Sequence, residues 1–108
     1  MSELVTTGVW HVKPGHEAEF VEEWTQFTRD AATYPGAGTL HLGRDSGDPS
    51  RFVSFAVWHD AASAHAWKAD PGFGERMGRV QQHVERFEPS ELDLVAAVAA
   101  GEVLDGRA

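Results

Sequence analysis

The stretch Phe52-Val53-Ser54-Phe55-Ala56-Val57-Trp58-His59 decides the architecture. It is rich in β-branched and aromatic residues. The turn-forming run Asp45-Ser46-Gly47-Asp48-Pro49-Ser50 precedes it and Asp60 follows it, so it reads as a strand. Alternate side chains of a strand face opposite ways. Val53, Phe55, Val57 and His59 therefore share one face, and Phe52, Ser54, Ala56 and Trp58 the other. An antiparallel sheet with one wet face alternates apolar with polar residues. This segment does so poorly, which predicts a strand covered on both sides.

The same signature recurs upstream. Leu4 to Val12 sets Val5, Thr7, Val9 and His11 against Thr6, Gly8, Trp10 and Val12, and ends at the turn Lys13-Pro14-Gly15. Ala37 to Arg44 is a weaker strand and forms a hairpin with Phe52 to His59. Between the first two strands, His16 to about Thr33 reads as a helix. Phe20, Trp24, Phe27 and Ala31 recur at steps of four, three and four, a single apolar stripe. Tyr34-Pro35-Gly36 stops it.

Downstream, Asp60 is placed to cap a short helix through Trp67, and Asp70 to cap a second with Pro71 at its first position. Phe73, Met77, Val80, Val84 and Phe87 continue at steps of four, three, four and three, which predicts a helix reaching Glu88-Pro89-Ser90. Leu92 to Val98 then reads as the last strand.

This order predicts an α+β fold of the ferredoxin-like βαββαβ type, with a four-stranded antiparallel sheet carrying its helices on one face. The 108 residues make one domain, with a core over about 4–98 and a loose tail over 99–108. The second apolar face needs a cover. A second copy, sheet against sheet, is the simplest one, so the expected unit is a homodimer formed through the open sheet face.

Bulk properties narrow the function. The net charge of −8, from 9 basic and 17 acidic residues, argues against nucleic acid and anionic membrane surfaces as partners. With no cysteine, thiolate nucleophiles and cysteine-based zinc or iron–sulfur sites are excluded. The start MSELVTTG lacks the basic and apolar regions of a signal peptide, and no apolar run is long enough to cross a bilayer, so a cytoplasmic location is expected. There is no glycine-rich phosphate loop and no GxSxG elbow. Of the six histidines, no pair has the helical spacing of a metal site; His11, His41 and His59 lie on strands and could converge across the sheet. The reading assigns no metal.

Several pieces, in this order and spacing, resemble the antibiotic biosynthesis monooxygenase domain family of dimeric α/β barrels. They are the opening strand with Val12-Lys13-Pro14-Gly15, then Pro35-Gly36, then Val57-Trp58-His59-Asp60, then Ala66-Trp67 through Phe73. The resemblance covers roughly residues 4 to 96. It implies a cofactor-independent monooxygenase acting with O2 on a planar aromatic of the phenol, anthrone or quinol type, with no cofactor. Its alternatives are a non-catalytic dimeric small-molecule-binding or stress-response module, and a haem-binding or haem-degrading protein.

Cofactor-free oxygenation asks the protein to hold an aromatic ring, exclude water and stabilise an oxyanion. Trp67, His59 and His41 are the candidate catalytic residues. Trp10, Trp58, Phe73, Met77, Thr7 and Arg76 are the candidate substrate contacts. Trp67 matches a pocket tryptophan of the haem-degrading members, and core packing explains it as well. Haem degradation also implies an axial histidine about ten residues later, where this chain has Met77, and a first-strand asparagine, where it has Thr6-Thr7-Gly8. Trp24 and Phe27, in the middle of their stripe, read as core.

Overall fold

The computed structural model describes residues 3–99. Its elements are β1 (Leu4–Val12), α1 (Glu17–Ala31), β2 (Ala37–Arg44), β3 (Arg51–Trp58), α2 (Ala61–Ala69), α3 (Phe73–Gln81) and β4 (Val84–Asp93). The strands form one antiparallel sheet in the order β2-β3-β1-β4. The α+β ferredoxin-like arrangement read from the sequence is the observed one, with two helical segments in its second connection.

The register sorts the two faces. β1 pairs Trp10 with Phe52, Thr6 with Ala56 and Leu4 with Trp58. These face the helices, and Leu4, Trp10, Val12, Phe52, Ala56 and Trp58 are all buried there. The expected stripe of α1 closes on them: Phe20, Trp24, Phe27 and Ala31 are its buried apolar residues. Burying a phenylalanine as completely as Phe20 contributes about 2–3 kcal/mol. Asp60 caps α2 as expected, its Oδ1 accepting from Ala62 N at 2.8 Å. On the other face Val9 lies opposite Val53, Thr7 opposite Phe55 and Val5 opposite Val57. Phe55 and Leu92 are 45% and 50% exposed, so the second apolar face expected from the sequence exists and is bare in a single chain.

The C-terminal third departs from the sequence reading. The helix expected through Phe87 ends at Gln81, and Val84 to Phe87 belong to β4. The cause is a bulge. β1 pairs His11 with Arg86 but Val12 with Val84, so Glu85 is an extra residue in the strand. Val84 and Phe87, an odd step apart, are thereby both packed with the core. A bulged strand and a helical stripe share that spacing. Pro89 is tolerated because β4 is an edge strand, where a missing N–H can face outward.

The strand expected at Leu92–Val98 starts at Val84 instead and stops at Asp93, with Val95 and Val98 90% and 71% exposed. Asp70 does not cap α3 directly. Its Oδ1 accepts from Gly72 N at 2.8 Å and shapes the turn before a helix that begins at Phe73. Of the tail expected to be loose, residues 100–108 lie outside the described residues. Among the described residues, no helix is long and apolar enough to cross a membrane.

A second irregularity, between Ala37 and Leu40, seats β2 against β3. There the backbone of Gly38 comes so close that a Cβ would sit 2.5 Å from Val57 O. Gly38→Ala is therefore expected to destabilise the fold by about 1–3 kcal/mol, read as a lowered midpoint in thermal or denaturant unfolding.

Candidate functional site

Large rings on the sheet hold the helices off it. Trp10 stacks on Phe87 with centroids 3.8 Å apart, and Trp58 stacks on Trp67 of α2 at 5.8 Å. Phe27 of α1 and Phe73 of α3 close around Trp67 at 5.1 Å each. Between these layers lies a cavity of about 250 Å³, near the small end of small-molecule sites. Trp10, Trp24, Phe27, Trp67, Phe73 and Met77 form its apolar walls. A Cβ on Gly8 would lie 2.6 Å from the Phe87 ring and 3.1 Å from Trp10 Nε1, so only glycine permits this stack.

The polar groups of the cavity are few and uncharged except at its edge. Trp10 Nε1 donates to Ser54 Oγ at 3.0 Å, and Trp58 Nε1 donates to Thr6 Oγ1 at 3.1 Å. Both hydroxyls line the cavity. Each accepts from an indole, and its own O–H remains available to donate. An indole donor polarises the hydroxyl it binds and makes that O–H a better donor. Thr28 also lines the cavity, but its hydroxyl is spent on Trp24 O at 2.9 Å. Trp67 Nε1 is buried with no hydrogen-bond partner. Such a donor carries a desolvation cost of about 1–3 kcal/mol that an incoming acceptor would relieve.

Lys68, the sole charged side chain in the lining among the described residues, is held by Glu91 at 2.6 Å. Hydrogen bonds from Lys68 and then His65 keep the Glu91 carboxyl below the usual glutamate range. On the outer side, Asp70 ties α3 to the end of α1. It accepts from Gly72 N, from Tyr34 OH at 3.2 Å and from Arg76, and these hold its carboxyl below the usual aspartate range. Burial first, then the bond to Asp70, raises Tyr34 above the ordinary phenol value.

The structure divides the residues singled out in the sequence. Trp10, Trp67, Phe73 and Met77 are brought together in the cavity; Thr7 joins the lining although its strand parity is that of the open face. Trp58 is fully buried one layer below, behind Trp67. Arg76 lies outside, in a separate polar groove of about 330 Å³ between α1 and α3. Its Nε is 2.8 Å from Asp30 Oδ2 but has no hydrogen-bond geometry, so that contact is Coulombic.

His41 stacks on Phe55 on the open face. His59 is exposed, with Nδ1 2.8 Å from Glu3 Oε2. Neither lines the cavity. Nor do the strand histidines converge: His11 pairs with Arg51, His41 with Phe55, and His59 lies beyond Trp58 at the other end of the sheet. Trp24 and Phe27, read as core, are both core and cavity wall. Sequence reasoning missed Ser54, Thr6 and Phe87. The first two had a signal, being hydroxyls on the strand parity otherwise filled by Trp10, Phe52 and Trp58. Phe87 was hidden by the bulge.

The sequence pattern of the family described as "Antibiotic biosynthesis monooxygenase" matches residues 4–78, well over half of the chain. The chain belongs to that family. No curated protein matches it in sequence. Among solved structures, the family chain is similar to SnoaB, a cofactor-independent oxygenase from Streptomyces nogalater. The identity is 22%, the TM-score 0.81, and the match covers 94% of this chain and 100% of SnoaB. It is similar also to PA3566 from Pseudomonas aeruginosa, at 18% identity and TM-score 0.75, covering 89% of this chain and 97% of the other. A conserved protein from Methanosarcina mazei Go1 matches at 15% identity and TM-score 0.77, covering 85% and 92%. At these identities the structural likeness speaks for the fold and leaves the reaction to the site.

Proposed function

We propose that this family member is a cofactor-independent monooxygenase that oxidises a planar aromatic of the phenol, anthrone or quinol type with O2. One observation carries the reading. An aromatic-walled cavity is lined by Ser54 and Thr6, whose hydroxyls accept from indoles, and by Trp67, whose own N–H is buried without a partner. Neutral dipoles of this kind stabilise a developing phenolate or enolate without charging the cavity. In the reaction the substrate gives a proton to solvent as it enters and delocalises the charge onto its ring oxygen. Its carbanionic carbon gives one electron to O2, the radical pair combines into a carbon–oxygen bond, and the peroxide anion takes a proton back and loses water to leave the quinone. The walls hold the ring and keep bulk water from the intermediates. Among the described residues no imidazole or carboxylate lines the cavity, so these donors lower the substrate's pKa far enough for solvent to act as the base.

That same absence favours a second reading, a dimeric small-molecule-binding or stress-response module without turnover. The haem reading fits poorly. Among the described residues of the lining, Met77 resembles an axial ligand and no histidine joins it, and the cavity is only about 250 Å³.

The working unit in this proposal is a pair of chains, open face to open face. Its support is an apolar strip on that face, in which Val5, Val9, Val53 and Val57 are half-buried and Phe55 and Leu92 exposed. Sedimentation is expected to give a dimer, and Phe55→Asp a monomer; a monomeric parent chain refutes the pairing.

Oxygen uptake with anthrones and quinols, without added metal or flavin, tests the reaction. Turnover is expected. Trp67→Phe, which keeps a ring but loses the N–H, and Ser54→Ala are each expected to lower kcat by up to about 100-fold. Ligand binding without oxygen uptake across such a panel selects the second reading.

A further inference from the structure

His16, Glu19 and His83 have no part in the cavity. His16 begins the first turn of α1, Glu19 follows on the same helical face, and His83 sits in the turn between α3 and β4. One ligand atom from each lies within 4.8 Å of the others. The imidazoles meet at their Nδ1 atoms, 3.1 Å apart, with the rings inclined at 53°. Backbone bonds fix this approach: Lys13 N donates to His83 O, and His16 N to Lys13 O, both at 2.9 Å. His16 also occupies the N-cap position of α1 without capping it, its side chain being turned to His83.

A bare hydrogen bond accounts for part of this. One ring would carry its proton on Nδ1, the other would accept, and Glu19 would stand idle beside them. A metal ion uses all three groups. Two imidazole nitrogens about 2.05 Å from a tetrahedral zinc ion lie about 3.3 Å apart, close to the separation found. The Glu19 carboxylate, on an exposed and flexible side chain, can close the remaining gap and offset the positive end of α1, which works against a cation there.

We propose that His16, Glu19 and His83 form a site for one divalent transition-metal ion of the zinc type, with water in the fourth position. Both imidazoles bind as neutral rings, and no redox step is involved. The site would pin the start of α1 to the start of β4. Phe20 N donates to His16 O at 2.8 Å, Phe20 packs on Trp10, and Trp10 stacks on Phe87, so the ion would brace one wall of the cavity without touching its contents. No local motif announces it, because 67 positions separate the two histidines.

Titration of the full chain with Co2+ is the test, followed by its visible d–d absorption and by competition with Zn2+. One equivalent is expected to bind with a tetrahedral or five-coordinate spectrum and to raise the unfolding temperature. His16→Ala and His83→Ala should each weaken binding at least about 100-fold, and Glu19→Gln by about tenfold, while His11→Ala and His65→Ala leave it unchanged. In the unmutated protein, the imidazole NMR signals of His16 and His83 should be the ones that Zn2+ shifts, whatever the variants do to folding. Absence of a Co2+ spectrum, undiminished binding in the His16→Ala/His83→Ala double variant, or Zn2+ shifts at other histidines would each overturn the proposal.

Discussion

Two indole-to-hydroxyl hydrogen bonds, Trp10 to Ser54 and Trp58 to Thr6, set the terms for the rest of this molecule. A buried indole N–H must find an acceptor or bear the cost of desolvation. The helix-facing side of the sheet supplies the acceptors from within itself, by placing small hydroxyl residues between large aromatic ones. The rings so anchored stack on Phe87 and Trp67 and become spacers. Helices that pack against such spacers cannot collapse onto Ala56 between them, and a cavity follows. Trp67 is the break in the pattern, its ring packed on three sides and its N–H unanswered. The same hydroxyls that satisfy the sheet are the ones a ligand oxygen would meet.

Most of the fold was legible because its signals are periodic. β1, β3 and α1 show apolar residues at strand or helix spacing, and the structure places them within two residues of the expected limits. The C-terminal third was not legible, since a bulge at Glu85 makes a strand mimic a helical step, and only the pairing with β1 distinguishes the two. The site divided in the same way. Trp10, Trp67, Phe73 and Met77 were found because large apolar residues announce a wall. His41 and His59 were chosen for their chemistry, and their placement depended on strand parity and strand ends that chemistry does not encode. Ser54 and Thr6 were passed over because a hydroxyl in a strand usually signals a wet face, whereas here it answers an indole.

Family membership and the site contribute different things. The first accounts for the sheet and its helices. The second bears on the chemistry: in the function proposed above, a cavity in which no described imidazole or carboxylate takes part calls for a substrate that ionises and reduces oxygen by its own electronic structure, with the protein supplying shape and oriented dipoles. A small, acidic, cysteine-free chain is adequate to that task, because the reactivity resides in the ring that is bound.

A ligand site and a packing defect differ in whether the cavity takes up a planar ring. Titration of the protein with a planar naphthol, followed by tryptophan fluorescence, tests this most directly when set beside Ala56→Leu, which fills the space from the buried floor of the cavity. Saturable quenching at one ligand per chain, abolished in a variant that remains folded, is the result predicted. Equal binding by Ala56→Leu, or none by the parent chain, would contradict it.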